Sequence, residues 1–126
     1  MSRKVLIVDD DSNVRRLLEQ TLETVREDLE FEVLTAGNGE DGLRLIEQEQ
    51  PTLVLLDVMM PGMDGFEVCR RVDGLGEAAS SCYIVLLTAR DQQSDRLRGL
   101  AAGARRYITK PFDPEDIIRL VESFFC

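Results

Sequence analysis

The chain has 126 residues, of which 44% are hydrophobic and 31% are charged, as is typical of one soluble globular domain. Its formal net charge of −9 argues against a nucleic-acid-binding surface and against a polybasic membrane patch, since both would be basic. No apolar run approaches the roughly 20 residues that span a bilayer. We therefore expect residues 1–126 to form a single domain that binds neither nucleic acid directly nor a membrane.

The cysteine and histidine content bears on the compartment and on metal chemistry. The three cysteines, an odd number at wide spacing, favour neither a disulfide framework nor a zinc site, so a cytoplasmic protein is expected. The chain has no histidine, which removes the commonest general base and the commonest metal ligand.

The first half of the chain alternates short apolar runs with helical patterns. Residues 5–8 are an uninterrupted apolar run, which predicts a strand buried on both faces, as in a parallel sheet. Apolar residues then recur at 3.6-residue spacing and predict one helix over residues 12–28. A weaker strand pattern at 31–35 and a second helix marked by Leu43 and Ile46 follow.

The second half of the chain continues the same alternation. Residues 53–56 and 84–87 predict two more buried strands, and 107–109 predicts a weaker strand near a sheet edge. Helical patterns are centred on Phe66, Cys69 and Val72, on Leu97, Leu100 and Ala101, and on Ile117, Ile118, Val121 and Phe125. Five strands alternating with five helices predict a doubly wound α/β domain with right-handed crossovers.

Polar side chains come directly after the predicted strands. Ligands of open α/β sheets bind beyond the carboxyl ends of the strands, so these side chains are expected to meet at one edge. Asp9, Asp10 and Asp11 follow the first strand, Asp57 the third, Thr88 the fourth and Lys110 the fifth. Taken alone, the first three acids are equally consistent with the start of a helix.

The residue types at this edge indicate a particular chemistry. Carboxylates held close together repel one another unless a cation joins them, and ligation by oxygen alone suits a hard ion such as Mg²⁺. A site with Mg²⁺, an amine and a hydroxyl matches the oxygens of a phosphoryl group. Asp57 is a candidate nucleophile, since carboxylates form acyl phosphates.

Four segments of the chain resemble the motifs of the response-regulator receiver family. They occur in the family's order and approximate spacing, and the match covers essentially the whole chain. The segments read VLIVDDD at 5–11, LLDVMMPGMDG at 55–65, LTA at 87–89 and GARRYITKPF at 103–112. The resemblance implies a flavodoxin-like domain with five helices around a five-stranded parallel sheet of strand order 2-1-3-4-5.

The resemblance also implies a set of phosphoacceptor and metal-binding residues. Asp57 would accept a phosphoryl group from a phosphohistidine of a histidine kinase or a histidine phosphotransfer protein. Asp9 and Asp10, together with Asp57, would hold Mg²⁺, with Mn²⁺ as an alternative ion. The backbone carbonyl of Met59 would complete the protein ligands. Lys110 would pair first with Asp57 and then with a phosphoryl oxygen.

The resemblance further implies a conformational switch. Thr88 would bind the phosphoryl group and draw its loop inward, and Tyr107 would turn from exposed to buried. The face formed by the fourth helix, fifth strand and fifth helix would change as a result. Lys110 and Pro111 would be joined by a cis peptide bond. Met59 and Arg90 flank the route of the hydrolytic water, and we expect them to modulate dephosphorylation.

The function implied is a phosphoacceptor signalling switch of two-component systems or phosphorelays. Such a domain is not an enzyme, apart from promoting its own phosphorylation and dephosphorylation. Its output would reach a downstream protein target or an output domain outside this sequence, and the domain would be a monomer or a phosphorylation-dependent dimer. The sequence ends soon after the fifth helix, so we expect either a stand-alone regulator or a receiver domain cut from a longer protein.

Three other functions are compatible with this fold. A phosphatase of the haloacid-dehalogenase type also uses an aspartyl phosphate, but it requires a second acid where this chain has Met59. A flavin-binding electron carrier would need a phosphate loop where Asp9 and its acidic neighbours would repel phosphate. A degenerate receiver that serves only as a protein-interaction module would not need the complete set of acids, threonine and lysine.

Overall fold

The computed structural model describes residues 3–76, 82–88, 98–99 and 101–125. Five parallel strands form one sheet in the order β2-β1-β3-β4-β5, which confirms the doubly wound α/β fold and its strand order. The strands are β1 (Arg3–Val8), β2 (Phe31–Ala36), β3 (Leu53–Asp57), β4 (Tyr83–Thr88) and β5 (Arg106–Thr109).

Helices lie on both faces of this sheet. The predicted helix at 97–101 falls partly outside the described residues, of which Arg98, Gly99 and Ala101 are helical. No helix in the described ranges is long and apolar enough to cross a bilayer. The other helices are α1 (Ser12–Glu23), α2 (Arg26–Leu29), α3 (Gly39–Glu49), α4 (Gly65–Asp73) and α5 (Pro114–Phe125).

The single helix predicted over residues 12–28 is wrong, because the chain breaks it into α1 and α2. The Thr24 hydroxyl donates to the Thr21 carbonyl at 2.7 Å, and the Val25 amide donates to the Leu22 carbonyl. These bonds span three residues and end α1 with a tightened turn. Val25 then adopts φ −124° and ψ −5°, outside the helical region, before α2 begins.

The core consists of two layers, one on each face of the sheet. Alternate residues of β1 point in opposite directions: Leu6 packs on the face covered by α3 and α4, and Ile7 on the face covered by α1 and α5. All five residues of β3 are buried, as the uninterrupted apolar runs predicted. The strands are therefore fixed on both sides, which gives their carboxyl ends a rigid support.

The end of α5 is fixed to the amino-terminal edge of the sheet. The Phe125 ring stacks on Phe31 with a centroid separation of 5.4 Å, and the Phe124 ring contacts Tyr83 at 5.0 Å. The Arg3 guanidinium lies 4.8 Å from the centroid of the Phe125 ring and donates to the Phe125 carbonyl at 3.2 Å. These contacts hold α5 against the sheet at the edge opposite to the polar residues.

Candidate functional site

The predicted polar residues meet at the carboxyl edge of the sheet. Asp9 directly follows β1, Asp57 is the last residue of β3, Thr88 is the last residue of β4, and Lys110 directly follows β5. The parallel register brings these strand ends level, with Asp57 opposite Leu87 on the neighbouring strand. Parallel pairing therefore explains how residues far apart in the sequence come to share one edge.

Three acids form a cluster at this edge. One carboxylate oxygen from each of Asp9, Asp10 and Asp57 lies within 4.8 Å of the other two. Asp9 and Asp57 are 1% and 4% exposed, whereas Asp10 is exposed, so the cluster opens toward solvent on the Asp10 side. These three carboxylates can hold a metal ion, and oxygen ligands of this kind suit a hard divalent cation.

Lys110 places its ammonium between two of these acids. Its Nζ lies 2.9 Å from Asp9 Oδ2 and 3.3 Å from Asp57 Oδ1. The Lys110 backbone N–H donates to the Thr88 carbonyl at 2.6 Å, and the Lys110–Pro111 peptide bond is cis, the geometry that the resemblance implies. The lysine is thus fixed through its main chain as well as through its side chain.

The protonation of Asp57 reflects its buried position. Burial, with the nearby charge of Asp9, raises the pKa of the Asp57 carboxyl to about 6. The Lys110 ammonium and the Met59 backbone N–H oppose this rise, because both favour the charged carboxylate. Asp57 therefore ionises close to neutral pH, where an added cation would strongly favour its charged form.

The Lys110 ammonium stays charged despite its partial burial. Burial alone would lower its pKa, but the hydrogen bond to Asp9 and the charges of Asp57 and Asp9 outweigh this effect. The net result is a pKa of Lys110 above its ordinary value. The site therefore combines a permanent cation with a carboxyl that is easily protonated.

The loop after β1 is held by its own backbone and side chains. The Asp9 N–H donates to the Ala36 carbonyl of β2 at 3.1 Å, and the Asp11 N–H donates to Asp9 Oδ1 at 2.9 Å. Asp11 caps α1, since its carboxylate accepts the Asn13 N–H at 2.9 Å. The helix-start alternative thus applies to Asp11, whereas Asp9 and Asp10 join the cluster.

The loop after β3 brings Met59 to the rim of the site. The Met59 side chain is 55% exposed, and its backbone N–H interacts with the Asp57 carboxylate. The Gly65 N–H donates to the Val58 carbonyl at 3.0 Å, which closes the loop onto the start of α4. A Cβ on Gly65 would lie only 2.6 Å from the Asp57 carbonyl oxygen, so this approach requires glycine.

The proposed switch residues lie on β4 and β5. Thr88 is fully buried, and Tyr107 is half-buried against the core layer under α3 and α4. Tyr107 pairs with Leu86 across the two strands and borders Gly99, where a Cβ would lie 3.8 Å from Tyr107 Cδ2. Arg90 lies outside the described residues.

Sequence reasoning assigned no role to Arg15, a residue of α1 that contacts the site. Its guanidinium Nη1 donates to the Asp9 carbonyl at 2.7 Å. The signal available in the sequence is the position of Arg15 in the first turn of the helix that follows the acids. That position is too general to identify the contact, because many helices carry a basic residue there.

The comparisons with known proteins agree with this geometry. A model of the response regulator receiver domain matches residues 5–122. The probable transcriptional regulator ycf27 of Porphyra purpurea is 41% identical over 120 residues, covering 95% of this chain and 46% of that protein. The alkaline phosphatase synthesis transcriptional regulatory protein PhoP of Bacillus subtilis is 40% identical over 123 residues, covering 98% and 48%. The chain thus spans about half the length of these relatives.

Two solved structures show how far the fold is shared. The BeF3-activated receiver domain of DrrB, a Thermotoga maritima protein, has a TM-score of 0.83 and 34% identity, covering 98% of this chain and 97% of that chain. The chemotaxis protein CheY4 of Vibrio cholerae has a TM-score of 0.85 and 30% identity, covering 98% and 99%. Together with the family match over residues 5–122, these similarities show that this chain belongs to the response regulator receiver domain family of two-component signalling.

Proposed function

We propose that residues 1–126 act as one receiver domain in which Asp57 accepts a phosphoryl group from a phosphohistidine. The donor is a histidine kinase or a histidine phosphotransfer protein. One observation carries the proposal: the Asp57 carboxylate lies within the acidic cluster and 3.3 Å from the Lys110 ammonium. This arrangement offers a nucleophile beside groups that neutralise phosphoryl oxygens.

The acidic cluster fits a divalent cation. Asp9, Asp10 and Asp57 would hold Mg²⁺, or Mn²⁺ as an alternative, together with the backbone carbonyl of Met59. The fit is supported by the mutual distances of the three carboxylates and by the all-oxygen donor set. When bound, such an ion neutralises charge on the phosphoryl oxygens during transfer.

The transfer itself exchanges one bond for another. An Asp57 carboxylate oxygen forms the new bond to phosphorus while the P–N bond of the phosphohistidine breaks. The imidazole nitrogen leaves with the bonding electron pair. Lys110 would then bind a phosphoryl oxygen, and the Thr88 hydroxyl would donate to another. Ionised Asp57 is the attacking form, and a divalent cation bound beside it would favour this form.

The output of the domain is a change of conformation. Movement of Thr88 and Tyr107 would alter the face formed by β5, α5 and the described helical residues Arg98, Gly99 and Ala101. This face would act on a protein target or on an output domain outside this sequence, in a cytoplasmic monomer or phosphorylation-dependent dimer. We propose no direct contact between this chain and nucleic acid. The domain promotes only its own phosphorylation and dephosphorylation, and Met59 and Arg90 would modulate the latter.

Intact mass spectrometry after incubation with acetyl phosphate tests the phosphoacceptor role. The parent protein should gain one phosphoryl group in Mg²⁺ and none in EDTA, and Asp57→Asn should gain none. Asp28→Asn, which changes an exposed acid of α2, is the matched control and should behave like the parent. An adduct that persists in Asp57→Asn or that forms equally in EDTA would contradict the proposal.

A further inference from the structure

Arg15 reaches from α1 to the main chain of the acidic loop. Its side chain is half-buried, and Nη1 donates to the Asp9 carbonyl at 2.7 Å. The Arg15 backbone N–H also donates to the Asp11 carbonyl at 3.0 Å, as part of the first turn of the helix. One residue thus binds the loop on both sides of Asp10.

The carbonyl that Arg15 holds belongs to the peptide that joins Asp9 to Asp10. The orientation of this peptide plane sets the direction in which the Asp10 side chain leaves the backbone. The N–H of Asp9 is already fixed by Ala36, and its carboxylate by Asp11 and Lys110. Among the described residues, the exposed Asp10 makes no hydrogen bond of its own, so its placement depends on this peptide plane.

Gly37 provides the space for the Arg15 side chain. A Cβ on Gly37 would lie 3.3 Å from Arg15 Nη1 and 3.7 Å from Cζ. Among the described residues, Arg15 supplies all the atoms within 4 Å of that Cβ position. A methyl group at position 37 would therefore press on the Arg15 guanidinium.

We propose that Arg15 is a positioning residue for cation binding: it fixes the Asp9–Asp10 peptide and thereby sets Asp10 relative to the other two carboxylates. The inference rests on the proposed function, because it concerns binding of the same divalent ion. Arg15 acts through the backbone, and its guanidinium is not a ligand. Groups that orient metal ligands in this way typically change metal affinity by about 10–100-fold when they are removed.

The charge of Arg15 predicts the opposite effect on Mg²⁺ affinity from its positioning role, so a binding measurement distinguishes the two. A guanidinium near an acidic cluster repels an incoming Mg²⁺, so charge alone predicts tighter binding when the arginine is removed. Positioning predicts weaker binding. Arg16, an exposed neighbour on α1, provides the control for charge, since it makes no hydrogen bond to the acidic loop among the described residues.

Isothermal titration of the full chain with MgCl₂ at pH 8 measures the affinity directly. Arg15→Ala should weaken Mg²⁺ binding by about tenfold, within the range for such groups. Arg16→Ala should leave it unchanged or slightly tighter. Arg15→Lys keeps the charge and should still weaken binding, since an ammonium on a shorter side chain does not reproduce the guanidinium contact. Thermal unfolding in EDTA establishes that each variant is folded.

Gly37→Ala supplies a second, independent variant. It should weaken Mg²⁺ binding in the parent by less than Arg15→Ala does, because the added methyl group would shift the guanidinium by only a few tenths of an ångström. It should have no further effect in Arg15→Ala, which has no guanidinium to displace. The inference is overturned if Arg15→Ala binds Mg²⁺ as tightly as the parent or Arg16→Ala, or if the two effects add. Failure of the parent to bind Mg²⁺ would instead overturn the proposed function.

Discussion

Lys110 Nζ lies 2.9 Å from Asp9 Oδ2, so the lysine neutralises a carboxylate that we propose as a metal ligand. The other oxygen of Asp9 accepts the Asp11 N–H at 2.9 Å. Both oxygens of Asp9 therefore already accept a hydrogen bond. A divalent cation at this site must share Asp9 with the ammonium or contact Asp9 through water. Asp57 also accepts from Lys110, so the exposed Asp10 is the most available of the three ligands.

Replacing Lys110 should tighten Mg²⁺ binding. Lys110→Met removes a positive charge from two carboxylates of the cluster, and at an effective dielectric constant of about 20 a unit charge at ~4 Å contributes about 4 kcal/mol. We expect at least a tenfold lower dissociation constant at pH 8, measured by calorimetric titration. Lys4→Met removes the chain's other lysine, which pairs with Glu49, and should leave the affinity unchanged. Equal or weaker binding by Lys110→Met would contradict the idea that Lys110 and Mg²⁺ compete for the same carboxylates.

Asp57→Asn should stabilise the fold in EDTA at neutral pH. The folded-state pKa of Asp57 is about 6, above its ordinary value of 3.8, so the ionised group opposes folding. Its contribution to stability is fully present below pH 3.8 and is lost as the pH rises through about 6. The loss is at most about 3 kcal/mol, since one pKa unit corresponds to about 1.4 kcal/mol.

Urea unfolding of the parent and Asp57→Asn across this pH range measures the difference. The asparagine variant should gain stability relative to the parent between pH 3.8 and about 6 and then keep a constant advantage. Asp28→Asn serves as the control at an exposed acid. A constant difference between Asp57→Asn and the parent across the whole range would show that burial does not perturb Asp57.

Gly65→Ala should be strongly destabilising, whereas Gly74→Ala should be tolerated. The added methyl group at position 65 would meet the Asp57 carbonyl oxygen at 2.6 Å and Val58 Cα at 2.9 Å, both of which are backbone atoms. At position 74 the nearest atom is the Arg71 carbonyl oxygen at 3.5 Å, an ordinary contact. We expect a loss of about 2–4 kcal/mol for the first and a change within about 0.5 kcal/mol for the second. Chemical unfolding measures both, and equal effects would refute the close approach.

Gln50→Gly should stabilise the domain. Gln50 ends α3 with φ 48°, a left-handed conformation that costs a non-glycine residue roughly 1 kcal/mol. Gln48→Gly is the matched control, because it makes the same substitution at an exposed position within the helix and should cost about 1 kcal/mol. Gln50→Gly should raise the free energy of unfolding and Gln48→Gly should lower it. Destabilisation by both variants would contradict the capping role.

The sequence predicted those features that depend on hydrophobic pattern and strand topology. The apolar runs located the buried strands, and the rule that ligands bind at the carboxyl ends of parallel strands predicted that Asp9 and Asp57 lie close together. The break after Glu23 was missed because it depends on local bonds of the Thr24 hydroxyl, which the apolar spacing does not report. The contact of Arg15 was missed because the partner of a long side chain is decided by tertiary geometry.

The hydrogen bond from the Lys110 amide to the Thr88 carbonyl joins the residue that directly follows β5 to the last residue of β4. Thr88 and Lys110 therefore cannot shift independently, because a displacement of one main chain pulls on the other. Tyr107 lies three residues before Lys110 on the same strand. A phosphoryl group that drew Thr88 inward would accordingly move the carboxyl ends of β4 and β5 together. The conformational change would then include backbone movement of both strands as well as rotation of the Tyr107 ring.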